Sequence, residues 1–173
     1  TTAILILKPA STAAPTASRG NVVNILANTN VAGSGHIDAE TNGDINLTET
    51  LLDMRVGDIT STYDDVTLTS PASIVDAPAG AGIPPATGDT AADVSGRNLT
   101  LTATERIGST TNFLEINSSN SAFGVLFATA PQGIFSEETS GNLNIDRVQA
   151  TSGNVSLTNR IGSLLDGRNA GSG

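Results

Sequence analysis

The sequence predicts an all-β fold, a parallel β-solenoid of short strands carrying one long loop insertion. Three observations predict it: a core composition almost without aromatics, a long internal repeat, and a short strand motif inside that repeat. Of the 173 residues, 38% are apolar but only 3% aromatic, with no Trp and a single Tyr. Interior volume must then come from Val, Ile, Leu and Ala, which stack well in identical layers and fill an irregular core poorly. Thr, Ser, Asn and Gly supply strand and turn chemistry. The length suits one domain, residues 1–173.

The repeat appears when the chain is slid against itself by 89 positions. Glu49-Thr50 then meets Glu138-Thr139, Ile45 meets Ile134, Val66 meets Val155, and Leu68-Thr69 meets Leu157-Thr158. With Gly35/Gly124, Ala39/Ala128 and Thr62/Thr151, there are nine identities over 35 positions. Chance at ordinary residue frequencies gives roughly two or three. The expected copies are 20–110 and an incomplete 111–173. Equivalent residues of the two copies are expected at equivalent places in their coils.

The short motif is a Gly or Asp, a polar residue, then apolar–polar–apolar. It reads Gly43-Asp44-Ile45-Asn46-Leu47, Asp64-Asp65-Val66-Thr67-Leu68, Gly141-Asn142-Leu143-Asn144-Ile145 and Gly153-Asn154-Val155-Ser156-Leu157. Asn98-Leu99-Thr100-Leu101 fits after one extra residue. Each is a period-2 strand introduced by a turn residue, its apolar positions facing inward. Two or three such strands make one coil, and each coil templates the next.

Residues 77–95 interrupt the pattern. Pro78, Pro84 and Pro85 cannot donate to a central ladder, so this segment is expected to leave the solenoid as a loop. At the other end, Ile4, Leu5, Ile6 and Leu7 read as a strand closed by Pro9. Five apolar residues before a lysine are too short for a signal sequence. Since an open solenoid edge pairs with whatever strand it meets, Ile4 to Leu7 form the candidate assembly strand.

The formal charge of −9 argues against nucleic acid and against anionic membrane surfaces as partners, and no apolar run is long enough to insert into a membrane. Acidity leaves cation binding open. With no Cys and one His, neither a thiolate metal site nor a His/Cys cluster can form. No cofactor motif is present: Gly80-Ala81-Gly82 is not followed by the Lys of a phosphate loop, and the calcium-binding nonapeptide of other solenoids is missing.

Individual residues read as structural. His36 is expected at the surface or in a turn. Asp64-Asp65 could hold a cation or act as an acid in a lyase-like groove, but a solvated turn is favoured. Glu137-Glu138 reads as an exposed edge whose neighbours face opposite ways, so they do not form a catalytic pair. Thr67 and Thr69 share one strand face, and Thr100, Thr102 and Thr104 another. Thr ladders across coils can make flat ice-binding faces, but this one looks irregular in sequence. Turn chemistry accounts for the Asn-x-Ser/Thr triplets at Asn46, Asn98, Asn117 and Asn154.

Leu99-Thr100-Leu101-Thr102-Ala103-Thr104, Ile107-Gly108-Ser109, Phe113-Leu114-Glu115-Ile116-Asn117-Ser118 and Ile161-Gly162-Ser163-Leu164-Leu165-Asp166-Gly167 resemble the repeats of giant bacterial surface proteins of the filamentous-haemagglutinin type. So do Glu138-Thr139-Ser140-Gly141-Asn142-Leu143-Asn144-Ile145 and the motif from Ser152 to Thr158. The resemblance covers roughly residues 35 to 167. It implies a right-handed parallel β-helix, exported and displayed at the bacterial cell surface or shed. The expected function is structural or adhesive, without catalysis. Expected partners are further copies stacked end to end, or continuation in a longer chain, with a host-surface or glycan receptor. The alternative is a carbohydrate-active β-helix enzyme, a polysaccharide lyase or hydrolase. Such sites collect Asp, Arg and Lys on neighbouring coils, and Lys8 is the sole lysine here.

Overall fold

A computed structural model describes residues 22–30, 35–77, 91–119 and 124–169. Strands form wherever the apolar–polar alternation runs, and they stack in parallel as a β-solenoid of about six turns. One sheet, wall A, stacks β1 (Val23–Ala27), β3 (Ile45–Glu49), β5 (Val66–Ser70), β8 (Leu99–Ala103), β11 (Leu126–Thr129), β13 (Leu143–Gln149) and β15 (Leu164–Asp166). The second sheet contains β2 (Ile37–Thr41), β4 (Met54–Ser61), β6 (Ile74–Asp76), β7 (Val94–Ser95), β9 (Arg106–Ile107), β10 (Leu114–Asn117), β12 (Gly133–Glu138) and β14 (Asn154–Asn159).

The second sheet divides into two walls. The first half of β4 pairs with β6, while its second half pairs with β7. Likewise β12 meets β9 through Gly133 and Ile134, and β10 through Ser136 to Glu138. Walls B and C follow from these halves, and a coil runs A, B, C. Successive wall A positions Val23, Ile45, Val66, Leu99, Leu126, Ile145 and Asp166 are 19 to 33 residues apart. Extra residues are held in corners, so the ladder keeps its register except at one shift between β11 and β13.

The core is the inward column of these walls. Ile45, Leu47, Val66, Leu68, Leu99, Leu101 and Leu143 are buried, as their motif positions predict. Ile145 and Leu157 are only partly buried, and Val155, in register with the fully buried Ile134, is 46% exposed. Val155 faces inward but lies in the last described turn, where no following layer covers it.

The repeat needs correction at the level of position. Ile45, Val66 and Leu68 lie on wall A, whereas their partners at an offset of 89, Ile134, Val155 and Leu157, lie in β12 and β14. Inward orientation is preserved; place in the coil is not. The offset matches strand chemistry, which all three walls share, because each wall needs the same alternation.

The expected loop over 77–95 also shifts. Residues 78–90 lie outside the described residues, but Val94 and Ser95 form β7 and pair with both β4 and β10. Val94 is fully buried, and its apolar side chain outweighs the turn-rich composition before it. The candidate assembly strand Ile4 to Leu7 lies outside the described residues.

Glycine matters where corners stack closely. Gly141 and Gly162 have φ of 75° and 114°, and a Cβ at Gly162 would sit 2.1 Å from the Gly141 carbonyl oxygen. Only glycine adopts that backbone without strain.

Candidate functional site

The polar residue opening each strand motif does more than turn the chain. The Asp44 carboxylate accepts the N–H of Asp65, Asp65 that of Asn98, Asn98 that of Val125, and Asn142 that of Ser163. Each side-chain oxygen thus reaches the same corner of the next coil. Asp53 to Ser73 repeats the arrangement ahead of wall B, and Asp93 to Glu115 ahead of wall C.

The Asp64-Asp65 turn is therefore solvated only at Asp65, whose side chain is 38% exposed. Asp64 is 5% exposed, and Arg97 lies 3.4 Å from its carboxylate and 2.9 Å from that of Asp65. Burial works to raise the Asp65 carboxyl, but hydrogen bonds from Arg97 and Asn98 and the Arg97 charge outweigh it and hold the group below its ordinary range. The pair is committed to packing against the next coil.

Glu137 and Glu138 do face opposite ways, but the edge is not exposed. Glu138 is fully buried and accepts the Ser118 N–H at 3.0 Å and its hydroxyl at 2.7 Å. Burial pushes its carboxyl up to about 7. Glu137, half-buried, pairs with Arg160 at 2.8 Å. His36 is also not a surface residue. It is 8% exposed, with Nε2 3.1 Å from the Asp38 carboxylate, and its Nδ1 has no partner among the described residues. No second histidine or cysteine exists to make it a ligand cluster.

Sequence reasoning missed one cluster. Asp76 at the end of β6, Asp93 before β7 and Glu115 in β10 bring carboxylate oxygens within 4.8 Å of one another. All three are buried, at 8%, 8% and 4% exposure. Asn112 donates to Asp76 at 3.0 Å, and Asp93 accepts the Glu115 N–H at 3.0 Å. Burial first, then repulsion from Asp76 and Glu115, raises Asp93 to about 9, so the corner holds a proton at neutral pH. These oxygens are the hard-ligand type that divalent cations prefer. A cation there would have to displace that proton. No spacing in the sequence marks the trio, because Asp76 and Asp93 flank the insertion and meet only when the coil closes.

Wall A presents a different surface. Its outward positions form two columns in register. Asn24, Asn46, Thr67, Thr100 and Phe127 align in one; Leu26, Thr48, Thr69, Thr102 and Thr129 align in the other. The ladder that looks irregular in sequence is regular in space, because the unequal intervals are absorbed at the corners. Arg147 and Gln149 continue the columns beyond an irregularity in the β11–β13 register.

No known family model matches the chain, and no curated protein or solved structure is similar to it. The β-solenoid architecture thus rests on the chain's own strand pairing. No helix among the described residues is long and apolar enough to cross a membrane.

Proposed function

We propose that the chain is a structural and adhesive segment of an extracellular bacterial fibre, with no catalytic role. Backbone pairing runs along the axis through every described turn, which suits a stiff rod that displays its outer walls. The titratable groups brought together are engaged in structural contacts: Arg97 with Asp64 and Asp65, Glu138 with Ser118, and the buried trio with its own neighbours.

The observation that carries the reading is the unbroken parallel pairing of wall A, seven described strands from β1 to β15 whose inward column of Ile45, Val66, Leu99 and Leu126 is fully buried. Val155 and Leu164 continue the columns of Ile134 and Leu143. A ladder of this kind accepts a further layer with the same alternation, from a longer chain or from a second copy stacked end to end. Cell-surface display follows from the resemblance to filamentous-haemagglutinin-type repeats, and a host-surface or glycan receptor would then meet the outer walls.

Sedimentation and electron microscopy of the isolated chain test the assembly. Concentration-dependent rods, dispersed by Val155→Lys with Leu164→Lys, are expected. A monodisperse monomer at all concentrations would overturn the stacking. Turnover on a panel of acidic and neutral polysaccharides, lost on Asp65→Ala in a chain that still folds, would overturn the non-catalytic reading.

A further inference from the structure

We propose that the outer face of wall A is an ice-docking surface, centred on Thr48, Thr69, Thr102 and Thr129 with Thr67 and Thr100 beside them. The inference is independent of end-to-end stacking. It begins with geometry. Neighbouring parallel strands lie about 4.8 Å apart, and alternate residues on one strand about 6.6 Å apart. Two aligned columns therefore set hydroxyl and methyl groups on a two-dimensional grid, with spacings close to the oxygen repeats on faces of hexagonal ice.

The hydroxyls are available. Thr48, Thr67, Thr69, Thr100, Thr102 and Thr129 make no side-chain hydrogen bond to any described residue. Threonines at the corners behave otherwise: Thr29, Thr50, Thr104 and Thr139 are all tied to other groups. Column threonines are also stiff, since β-branching restricts χ1 and each is flanked by the next. Ordering them against a solid therefore costs little entropy.

Charge is sparse on this face, with Arg147 standing where the Phe127 column continues into β13. In a chain of net charge −9, none of the ten column residues from Asn24 and Leu26 to Phe127 and Thr129 is charged. A charged side chain would hold its own hydration shell and break the lattice match. An uncharged glycan is the less suitable occupant. Phe127 is the one aromatic in the columns, and the Arg147 guanidinium covers it at 5.8 Å from the ring centre. Packing against the same wall of a second copy would favour apolar columns over threonine.

The test is partition of the whole chain into a slowly growing ice front, together with inhibition of ice recrystallisation. The wild-type chain should concentrate in the ice fraction, while Thr69→Lys with Thr102→Lys should stay in the liquid. Thr158→Lys, on the exposed side of β14, should behave as wild type. If the lysine pair unfolds the chain, Thr69→Val with Thr102→Val keeps the shape and removes two hydroxyls, and a several-fold loss of recrystallisation inhibition is expected. Exclusion of the wild-type chain from ice would overturn the proposal, as would equal loss in Thr158→Lys. Retention on insoluble cellulose without retention in ice would assign the wall to a polysaccharide instead.

Discussion

Glu138 repeats the contacts of Glu49 on a different wall, 89 residues further along. Glu49 accepts the N–H and hydroxyl of Thr29, while the N–H and hydroxyl of Thr50 both go to the Ala27 carbonyl. Glu138 accepts the same two groups from Ser118, and both donors of Thr139 go to the Ile116 carbonyl. The Glu-Thr pair is therefore a reusable clip. It turns the chain out of a strand and ties it to the coil before.

Removing a clip should be expensive. Glu138→Ala leaves the buried Ser118 N–H and hydroxyl without their acceptor, at a cost of about 1–3 kcal/mol for each group left bare. Glu138→Gln keeps one acceptor oxygen and should cost less. Urea unfolding of the two variants measures the difference, and equal losses would mean that the carboxylate is not the acceptor that matters.

Glu138 should also make stability depend on pH. Its carboxyl is raised from 4.5 to about 7 in the fold, so between those values the folded chain holds a proton that the unfolded chain has released. Stability should fall as pH rises across that window and level off above it. In Glu138→Gln that part of the slope should vanish, as read from urea midpoints at half-unit pH steps.

Asp93 extends the same sign to higher pH. It is raised from 3.8 to about 9, and the titration belongs to the trio with Asp76 and Glu115 rather than to one residue. Asp93→Asn retains an oxygen for the Glu115 N–H and removes the ionisation. The variant should overtake the wild type in thermal midpoint between pH 7 and 9. Identical midpoints across that range would show that water reaches the corner and screens it.

Layers should differ in their sensitivity to truncation. Leu68→Ala empties a fully buried position and should cost about 2–5 kcal/mol. Leu164→Ala removes a side chain already 50% exposed, and in the dispersed chain should cost less than about 1.5 kcal/mol. Equal costs would mean that another layer covers Leu164 in solution.

Asp65 should give the opposite pH response to Asp93. Its carboxyl is held below its ordinary 3.8 by Arg97 and Asn98, so the stability it contributes is present above that value and lost as pH falls through the lower folded one. Arg97→Ala should shift the acid-unfolding midpoint of the chain upward. An unchanged acid limb would show that Asn98 alone suffices.

By itself the sequence determined the strands, their inward columns and the solenoid class. Those features are local: apolar–polar alternation fixes which side of Ile45, Leu68 or Leu143 faces the core, and Asp44, Asp65, Asn98 and Asn142 mark where strands begin. Only the tertiary structure decided which wall each strand joins. That depends on how many residues each corner absorbs, and intervals of 19 to 33 residues between successive wall A positions carry no simple period. For the same reason Leu68 and Leu157 share a motif but not a wall, Thr69 and Thr102 become neighbours across 33 residues, and Asp76 meets Asp93 and Glu115. Closure of the coil sets those distances, because backbone pairing with the adjacent coil, rather than sequence separation, determines where each side chain comes to rest.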